Sequence, residues 1–123
     1  MGYYTYFDLT IKPEKYTIGE IISKVAEIME DNSGFCYPFE YYLEDYFDDN
    51  DSYELELNSE EGYKWYDHER DMRMLSLLFP EAMFILYGKG EEAEDQWEKQ
   101  FQNGRMRSKY IELRWPDEFS DWA

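Results

Sequence analysis

The chain of 123 residues contains a single cysteine, Cys36, so no disulfide can form within it. It has no apolar run close to the roughly 20 residues that a membrane-spanning helix needs. Its first residues lack the basic head and the apolar core of a signal peptide. These absences predict a protein that works in a reducing cytoplasm and does not bind a membrane.

Basic residues are scarce as well. Lysine and arginine total 12, against 29 aspartates and glutamates, which gives a net charge of −17. Between Lys24 and Lys64 there is no basic residue, and the acids there are Glu27, Glu30, Asp31, Glu40, Glu44, Asp45, Asp48, Asp49, Asp51, Glu54, Glu56, Glu60 and Glu61. Nucleic acids and anionic membranes are polyanions, so direct binding to either is disfavoured. The negative charge instead favours rapid encounter with a basic protein. High salt would slow this encounter because it screens the attraction.

Aromatic residues, by contrast, make up 20% of the chain. Disordered acidic chains are poor in such residues. A chain of this length can bury roughly 65% of its unfolded surface around one core. The sequence therefore predicts one folded domain over residues 1–123, with no internal repeat and no linker.

The first third of the chain predicts a strand followed by a helix. Residues 3–11 alternate between apolar and polar side chains, as a half-buried strand does. Thr17 and Glu20 have the spacing of a capping box, in which each residue satisfies a backbone N–H group of the other. An apolar helical stripe follows them and ends at Asn32–Gly34.

The middle of the chain is less clear. Residues 38–47 carry a second helical stripe, which favours a helix, although their aromatics would also suit a strand. Alternating leucines and glutamates predict a strand over residues 53–57, and a third strand is predicted over residues 63–66.

The remaining elements are a helix, a strand and a hairpin. Asp67 is the predicted cap of a helix that Pro80 ends, with Met72, Leu75, Leu78 and Phe79 on its apolar face. Residues 82–87 predict a buried strand. Asn103–Gly104 predicts a two-residue hairpin turn that pairs Trp97 with Tyr110 and Phe101 with Met106. The order indicates an α+β fold, a ferredoxin-like βαββαβ sandwich with an added C-terminal hairpin and two helices on one face of an antiparallel sheet.

The sequence gives little support to a calcium site, to carboxylate catalysis or to a catalytic pair of His68 and Cys36. Asp49, Asp51 and Glu60 fit three positions of a calcium loop, but Glu54 stands where that loop needs glycine. Carboxylate pairs carry little information in a chain with 29 acids. The only histidine, His68, reads as a surface residue, and nothing orients it towards Cys36. The sequence therefore predicts no enzyme, no metal site and no cofactor.

The acidic stretch is the candidate site. Its tyrosines alternate with carboxylates, and tyrosine is favoured at protein interfaces. The predicted partner-binding residues are Glu40, Glu44, Asp45, Asp48, Asp49, Asp51, Glu54, Glu56, Tyr42 and Tyr46. Such an array can stand in for phosphates in a cationic cleft. The alternative is a solvated face that only keeps the protein soluble.

Part of the chain resembles a known module. The resemblance rests on Trp65–Met72, Leu78–Pro80, Phe84–Glu92, Asp95–Trp97 and Phe101–Arg105. Over about residues 64–105 the chain is similar to the ferredoxin-like YubB-type module of small phage and mobile-element proteins. The resemblance implies that fold and carries no catalytic residue across. Small acidic phage proteins include DNA-mimic inhibitors such as anti-CRISPR proteins.

The predicted function is that of a phage-type acidic inhibitor. It would bind a basic, nucleic-acid-binding protein such as a CRISPR or other defence nuclease, as a monomer or homodimer in the host cytoplasm. The alternative is a non-enzymatic adaptor that makes contact through aromatic residues and uses its acids for solubility.

Overall fold

A computed structural model describes residues 4–91 and 95–110 of the chain. Their elements in chain order are strand β1 (Thr5–Lys12), helix α1 (Ile18–Asp31), a 3-10 helix (Tyr37–Tyr46), strand β2 (Leu55–Asn58), helix α2 (His68–Leu78), and strands β3 (Met83–Gly90), β4 (Gln96–Gln102) and β5 (Arg105–Tyr110). The five strands form one antiparallel sheet in the order β2-β1-β3-β4-β5. The α+β class is therefore confirmed.

One face of the sheet carries the core. Side chains alternate along each strand, so Phe7, Leu9 and Ile11 of β1 are buried while their neighbours point to the opposite face. The helices pack on the buried face, where α1 supplies isoleucines and α2 supplies Met72 and Leu75. Each such side chain, when fully buried, stabilises the fold by about 1.5–3 kcal/mol.

The local signals at α1 and at the hairpin are confirmed. The Thr17 hydroxyl oxygen accepts a hydrogen bond from Glu20 N at 3.0 Å, and the Glu20 carboxylate accepts one from Thr17 N at 3.4 Å. The hairpin pairs Trp97 with Tyr110 and Phe101 with Met106, in the predicted register. Asn103 and Gly104 both have positive φ, as a two-residue turn of this type requires.

The predicted third strand is wrong. Residues 63–66 make a single bridge, between Thr5 and Tyr63, and the chain then turns, with Tyr66 N donating to Lys64 O at 3.0 Å. The cause is Trp65, whose side chain is buried and donates to Asp71 Oδ2 at 2.8 Å, which draws the backbone away from the sheet. The ferredoxin-like βαββαβ order is consequently not confirmed.

Other differences are smaller. Residues 37–46 are helical as favoured, but the helix is of the tighter 3-10 type. The Asp67 side chain does not cap α2 and instead pairs with Arg70 at 3.2 Å. Leu78, predicted on the core face, is 44% exposed, whereas Asp71 and Ser76 of α2 are buried. Tyr3 of the predicted first strand and Glu92 of the resembling module lie outside the described residues.

Candidate acidic interaction surface

Eight predicted carboxylates follow one another along one edge of the sheet. They lie on the 3-10 helix, on the loop after it and on β2, the outermost strand on this side. We call them the acidic surface: Glu40, Glu44, Asp45, Asp48, Asp49, Asp51, Glu54 and Glu56. Seven are exposed and Asp49 is half-buried. The structure thus places them on consecutive elements at the β2 edge, with Glu56 on the sheet face opposite the core because it alternates with the buried Leu55 and Leu57.

The 3-10 helix holds the first three acids outward by burying its other side. Pro38, Phe39 and Leu43 are buried there, and the helix packs against α1 and β2. Just before the helix Cys36 adopts a left-handed conformation with φ of 51°. Its N–H donates to the buried carboxylate of Asp71 at 3.2 Å, which fixes the start of the helix.

Asp49 organises the loop between the 3-10 helix and β2. Its Oδ1 accepts hydrogen bonds from Asp51 N at 3.2 Å and Ser52 N at 3.0 Å, and its Oδ2 accepts one from Ser52 Oγ at 2.6 Å. The bonds from Ser52 lower the pKa of Asp49, so it stays ionised. Asp49 therefore shapes the loop, and its exposed neighbours are free to meet a partner.

The loop is also fixed to the start of α1. Gly19, the second residue of that helix, donates its N–H to Asp49 O at 2.7 Å. A Cβ on Gly19 would lie 2.6 Å from Phe47 O, so only glycine allows this approach. The N-terminal end of a helix favours negative charge, which suits a loop carrying several aspartates. The acids are thus presented on a loop with a defined shape.

The negative charge of this surface is hardly compensated. Within residues 4–91 and 95–110, one ion pair reaches the eight acids, between Lys12 Nζ and Glu54 Oε1 at 4.0 Å. Both partners are about half exposed, and exposed pairs of this kind stabilise by about 0–1 kcal/mol. The chain's arginines do not neutralise the surface in this part of the molecule.

The two predicted tyrosine anchors are only partly exposed. Tyr42 and Tyr46 are half-buried and pack against the core. Partial burial and a hydrogen bond from the hydroxyl to Glu60 raise the pKa of Tyr42. The tyrosines that reach outward are Tyr41, 79% exposed, and Tyr53, 94% exposed. Together with Phe47, 37% exposed, these two are the exposed aromatic residues on this stretch.

Cys36 is unsuited to nucleophilic chemistry. It is buried, and burial together with the nearby Asp71 carboxylate raises the pKa of its thiol well above the usual value. A thiolate is therefore strongly disfavoured at neutral pH.

His68 is not the surface residue that the sequence indicated. Its ring stacks on Trp97, with centroids 5.0 Å apart, and burial lowers its pKa. Nδ1 lies 2.9 Å from Trp65 O and must donate to it, since a carbonyl only accepts. Nε2 therefore accepts from Lys99 Nζ at 2.7 Å, and that ammonium also pairs with Glu69 at 2.8 Å. Nothing in the sequence around His68 signalled this cluster, because Trp97 and Lys99 lie far along the chain.

The calcium-loop pattern gains no support either. Among the described residues, no group of three or more histidines, cysteines or acids is arranged to hold a metal ion. The Asp49 carboxylate already accepts hydrogen bonds from its own loop, and Glu60 accepts a hydrogen bond from the hydroxyl of Tyr42.

Within residues 4–91 and 95–110, no helix has the length and apolar character to cross a bilayer.

The chain matches no protein-family model, no curated protein and no solved structure. The similarity to YubB-type modules therefore stays a prediction from the sequence.

Proposed function

We propose that this chain is a non-enzymatic inhibitor that binds a basic, nucleic-acid-binding protein. Its acidic surface would occupy the cleft in which that protein holds phosphates. The observation that carries the proposal is the set of seven exposed carboxylates at the β2 edge, which only one weak ion pair reaches within residues 4–91 and 95–110.

The spacing of the acids supports this proposal. Glu54 and Glu56, two residues apart in nearly extended chain, are separated by roughly 6.6 Å along it. The 3-10 helix rises about 2.0 Å per residue, so Glu40 and Glu44 are separated by roughly 8 Å along its axis. Duplex DNA carries one charge per about 1.7 Å of axis, a denser array of the same sign. A cleft that contacts several phosphates would meet several carboxylates here.

The biological setting follows from the sequence resemblance. On this proposal the chain is phage-encoded, acts in the host cytoplasm and inhibits a defence nuclease of the CRISPR or a similar type. The ferredoxin-like relationship is part of the same proposal, with the missing third strand reduced to the Thr5–Tyr63 bridge.

Charge reversal on the acidic surface tests the proposal. Glu44, Asp45 and Asp48 are suitable because all three are exposed and none holds the loop as Asp49 does. The wild-type chain would be immobilised and used to capture proteins from a host lysate fraction that binds DNA–cellulose. The captured protein should lose its DNA binding as wild-type chain is added. The Glu44→Lys/Asp45→Lys/Asp48→Lys variant should neither capture it nor compete.

A matched control separates local charge from net charge. Glu14, Glu30 and Asp31 are exposed acids outside the acidic surface, and changing all three to Lys alters the net charge equally. This control should bind like wild type. Equal loss of binding in both variants, or capture of acidic proteins alone, would overturn the proposal.

An adaptor that makes contact through aliphatic side chains, rather than the aromatic ones expected from the sequence, is favoured by one observation on α2. Met74, Leu77 and Leu78 form an exposed apolar row at helical spacing. If this row is the contact surface, Leu78→Gln would abolish partner binding while the acidic-surface variant bound normally. Added salt would then leave the affinity nearly unchanged.

A further inference from the structure

Strand β2 has one edge with which no described strand pairs. It is the outermost strand on its side of the sheet, and β1 pairs with its other edge. We call the edge of β2 that faces away from β1 the outer edge. Strand β5, which residues 111–123 follow, lies at the far side of the sheet, four strand spacings away. With about 4.8 Å between neighbouring strands, this distance is about 19 Å.

The pairing with β1 shows which backbone groups of β2 point towards the outer edge. Ser59 N donates to Phe7 O at 2.8 Å, so these two residues form a hydrogen-bonded pair of the antiparallel ladder. Such pairs alternate with pairs that are not hydrogen-bonded. The two leucines of β2 therefore bond to β1. Glu56 and Asn58 direct their N–H and C=O groups towards the outer edge, at positions roughly 6.6 Å apart along the strand.

These backbone groups match those of an added strand. Alternate residues of an extended segment present an N–H and a C=O group at the same spacing, which is how peptides add to the edge of a sheet. Short edge strands with charged side chains usually prevent such pairing. The glutamates at β2 repel a strand of their own sign but attract a basic one, so they select the segment that can pair.

The sheet face beside the outer edge carries like charges close together. β1 pairs Asp8 with Asn58 and Thr10 with Glu56, so the side chains of Asp8 and Glu56 stand diagonally on one face of the sheet. Partial burial and the nearby Glu56 carboxylate raise the pKa of Asp8. A lysine or arginine of an added strand would lie on this face and relieve the repulsion between the two acids. A second copy of this chain would instead bring another row of acids to the same edge.

We propose that the outer edge of β2 binds an extended basic segment of a protein partner by strand addition. The basic side chains of the segment meet Glu56 and Asp8 on the sheet face away from the core. Its alternate residues lie beside Leu55 and Leu57, on the side where the 3-10 helix packs. This inference rests on the function proposed above for the basic character of the partner, and it adds the form in which the partner binds.

Amide hydrogen exchange in the full-length chain tests the contact directly. The probe is a seven-residue peptide of alternating lysine and valine with blocked ends. In the free chain the amides of Glu56 and Asn58 should exchange rapidly, while those of Leu55 and Leu57 are protected by β1. Saturating peptide should slow exchange at Glu56 and Asn58 at least about 10-fold. The proposal is overturned if these amides are protected in the free chain, if they stay unprotected with peptide bound, or if the peptide does not bind.

Two control peptides separate strand pairing from attraction by charge. N-methylation of two adjacent central residues removes a donor from each edge of the peptide and keeps its charge. Binding should therefore weaken at least about 10-fold whichever way the peptide runs along β2. Replacing the lysines by glutamates should abolish binding. Equal affinities of the N-methylated and unmodified peptides would show attraction by charge alone and overturn the proposal.

Asn58→Pro removes one N–H group from the outer edge without changing the charge of the chain. Proline is tolerated at an edge position whose N–H points away from the ladder. Asn58→Ala keeps the N–H group and is the matched control. Asn58→Pro should bind the peptide at least about 10-fold more weakly than Asn58→Ala. Equal binding by the two folded variants contradicts strand addition, and the exchange measurement on wild type decides the case if Asn58→Pro does not fold.

Failure of this contact and failure of the proposed function are distinguishable. If Asn58→Pro captures the basic protein from the lysate as well as Asn58→Ala does, the proposed function stands and strand addition is wrong. If the peptide adds to β2 but the chain captures no basic, DNA-binding protein, the proposed function is wrong and the strand-addition site remains. A dimer of the wild-type chain that Asn58→Pro disrupts and Asn58→Ala does not would assign the outer edge to a second copy and overturn the proposal.

Discussion

Gly19→Ala offers a stringent test of how α1 holds the loop between the 3-10 helix and β2. The added Cβ would lie 2.6 Å from Phe47 O, 3.1 Å from Asp49 O and 3.3 Å from Asp49 N. All three atoms belong to the backbone and cannot rotate away, so the loop must move. The hydrogen bond from Gly19 N to Asp49 O, 2.7 Å long, would weaken with it.

The expected cost can be worked out from these contacts. Forced overpacking costs about 1–3 kcal/mol, and loss of a backbone hydrogen bond costs about 0.5–1.5 kcal/mol. Alanine regains up to about 1 kcal/mol over glycine through helix propensity. With about 2 kcal/mol for overpacking and about 1 kcal/mol for the hydrogen bond, less about 1 kcal/mol for helix propensity, the net free energy of unfolding should fall by about 2 kcal/mol. At roughly 4 °C per kcal/mol for a domain of this size, Tm should drop by about 8 °C.

Thermal and urea unfolding measure this difference, and Gly34→Ala is the matched control. A Cβ on Gly34 would meet only Asn32 Oδ1, at an ordinary 3.6 Å, so this change should leave Tm within about 2 °C of wild type. If the Gly19→Ala variant is as stable as wild type, the contact with α1 does not hold the loop in place. Such a result would also remove the reason to regard the acidic surface as preformed.

Three further predictions concern the core and the His68 cluster. Gly88→Ala should destabilise the fold by at least about 1–3 kcal/mol in urea unfolding, because the new Cβ would collide with the Trp97 ring that stacks on His68; an unchanged unfolding midpoint would contradict that packing. Burial lowers the pKa of His68, so below its ordinary value of 6.5 the unfolded chain takes up a proton that the folded chain does not. The stability advantage of wild type over His68→Gln, complete above that pH, should shrink as the pH falls below about 6.5 in paired unfolding measurements; a constant difference would show that His68 has the same pKa in the folded and unfolded chain. Cys36 should resist a thiol reagent in the native state and react once unfolded, and Cys36→Ser should retain partner binding; rapid native labelling would contradict its burial.

The sequence predicted those features that depend on neighbours in the chain. The capping box of Thr17 and Glu20 and the register around Asn103–Gly104 are local, and both are confirmed. The third strand failed because its outcome depends on Trp65 reaching Asp71, a contact made only when α2 folds against it. Side-chain patterning alone gives no sign that such a hydrogen bond will override a strand.

The candidate site was predicted in part. The carboxylates were found from their run along the chain, and the structure keeps them on one edge. The predicted contact residues Tyr42 and Tyr46 belong to the helical stripe of residues 38–47, which also predicted the buried side of the helix. Side chains on that stripe pack against the core and are therefore half-buried, whereas Tyr41 and Tyr53, off that stripe, are the more exposed tyrosines.

The central claim is that unpaired carboxylates on the β2 edge make the contact with a basic partner. The most direct measurement is the affinity of the captured basic protein for wild type and for Glu44→Lys/Asp45→Lys/Asp48→Lys at several salt concentrations. We expect wild-type affinity to fall steeply with salt, and the variant to bind at least about 100-fold more weakly, equal to about 2.7 kcal/mol, with a shallower salt dependence. Equal affinities and equal salt dependence for the two chains would contradict the claim.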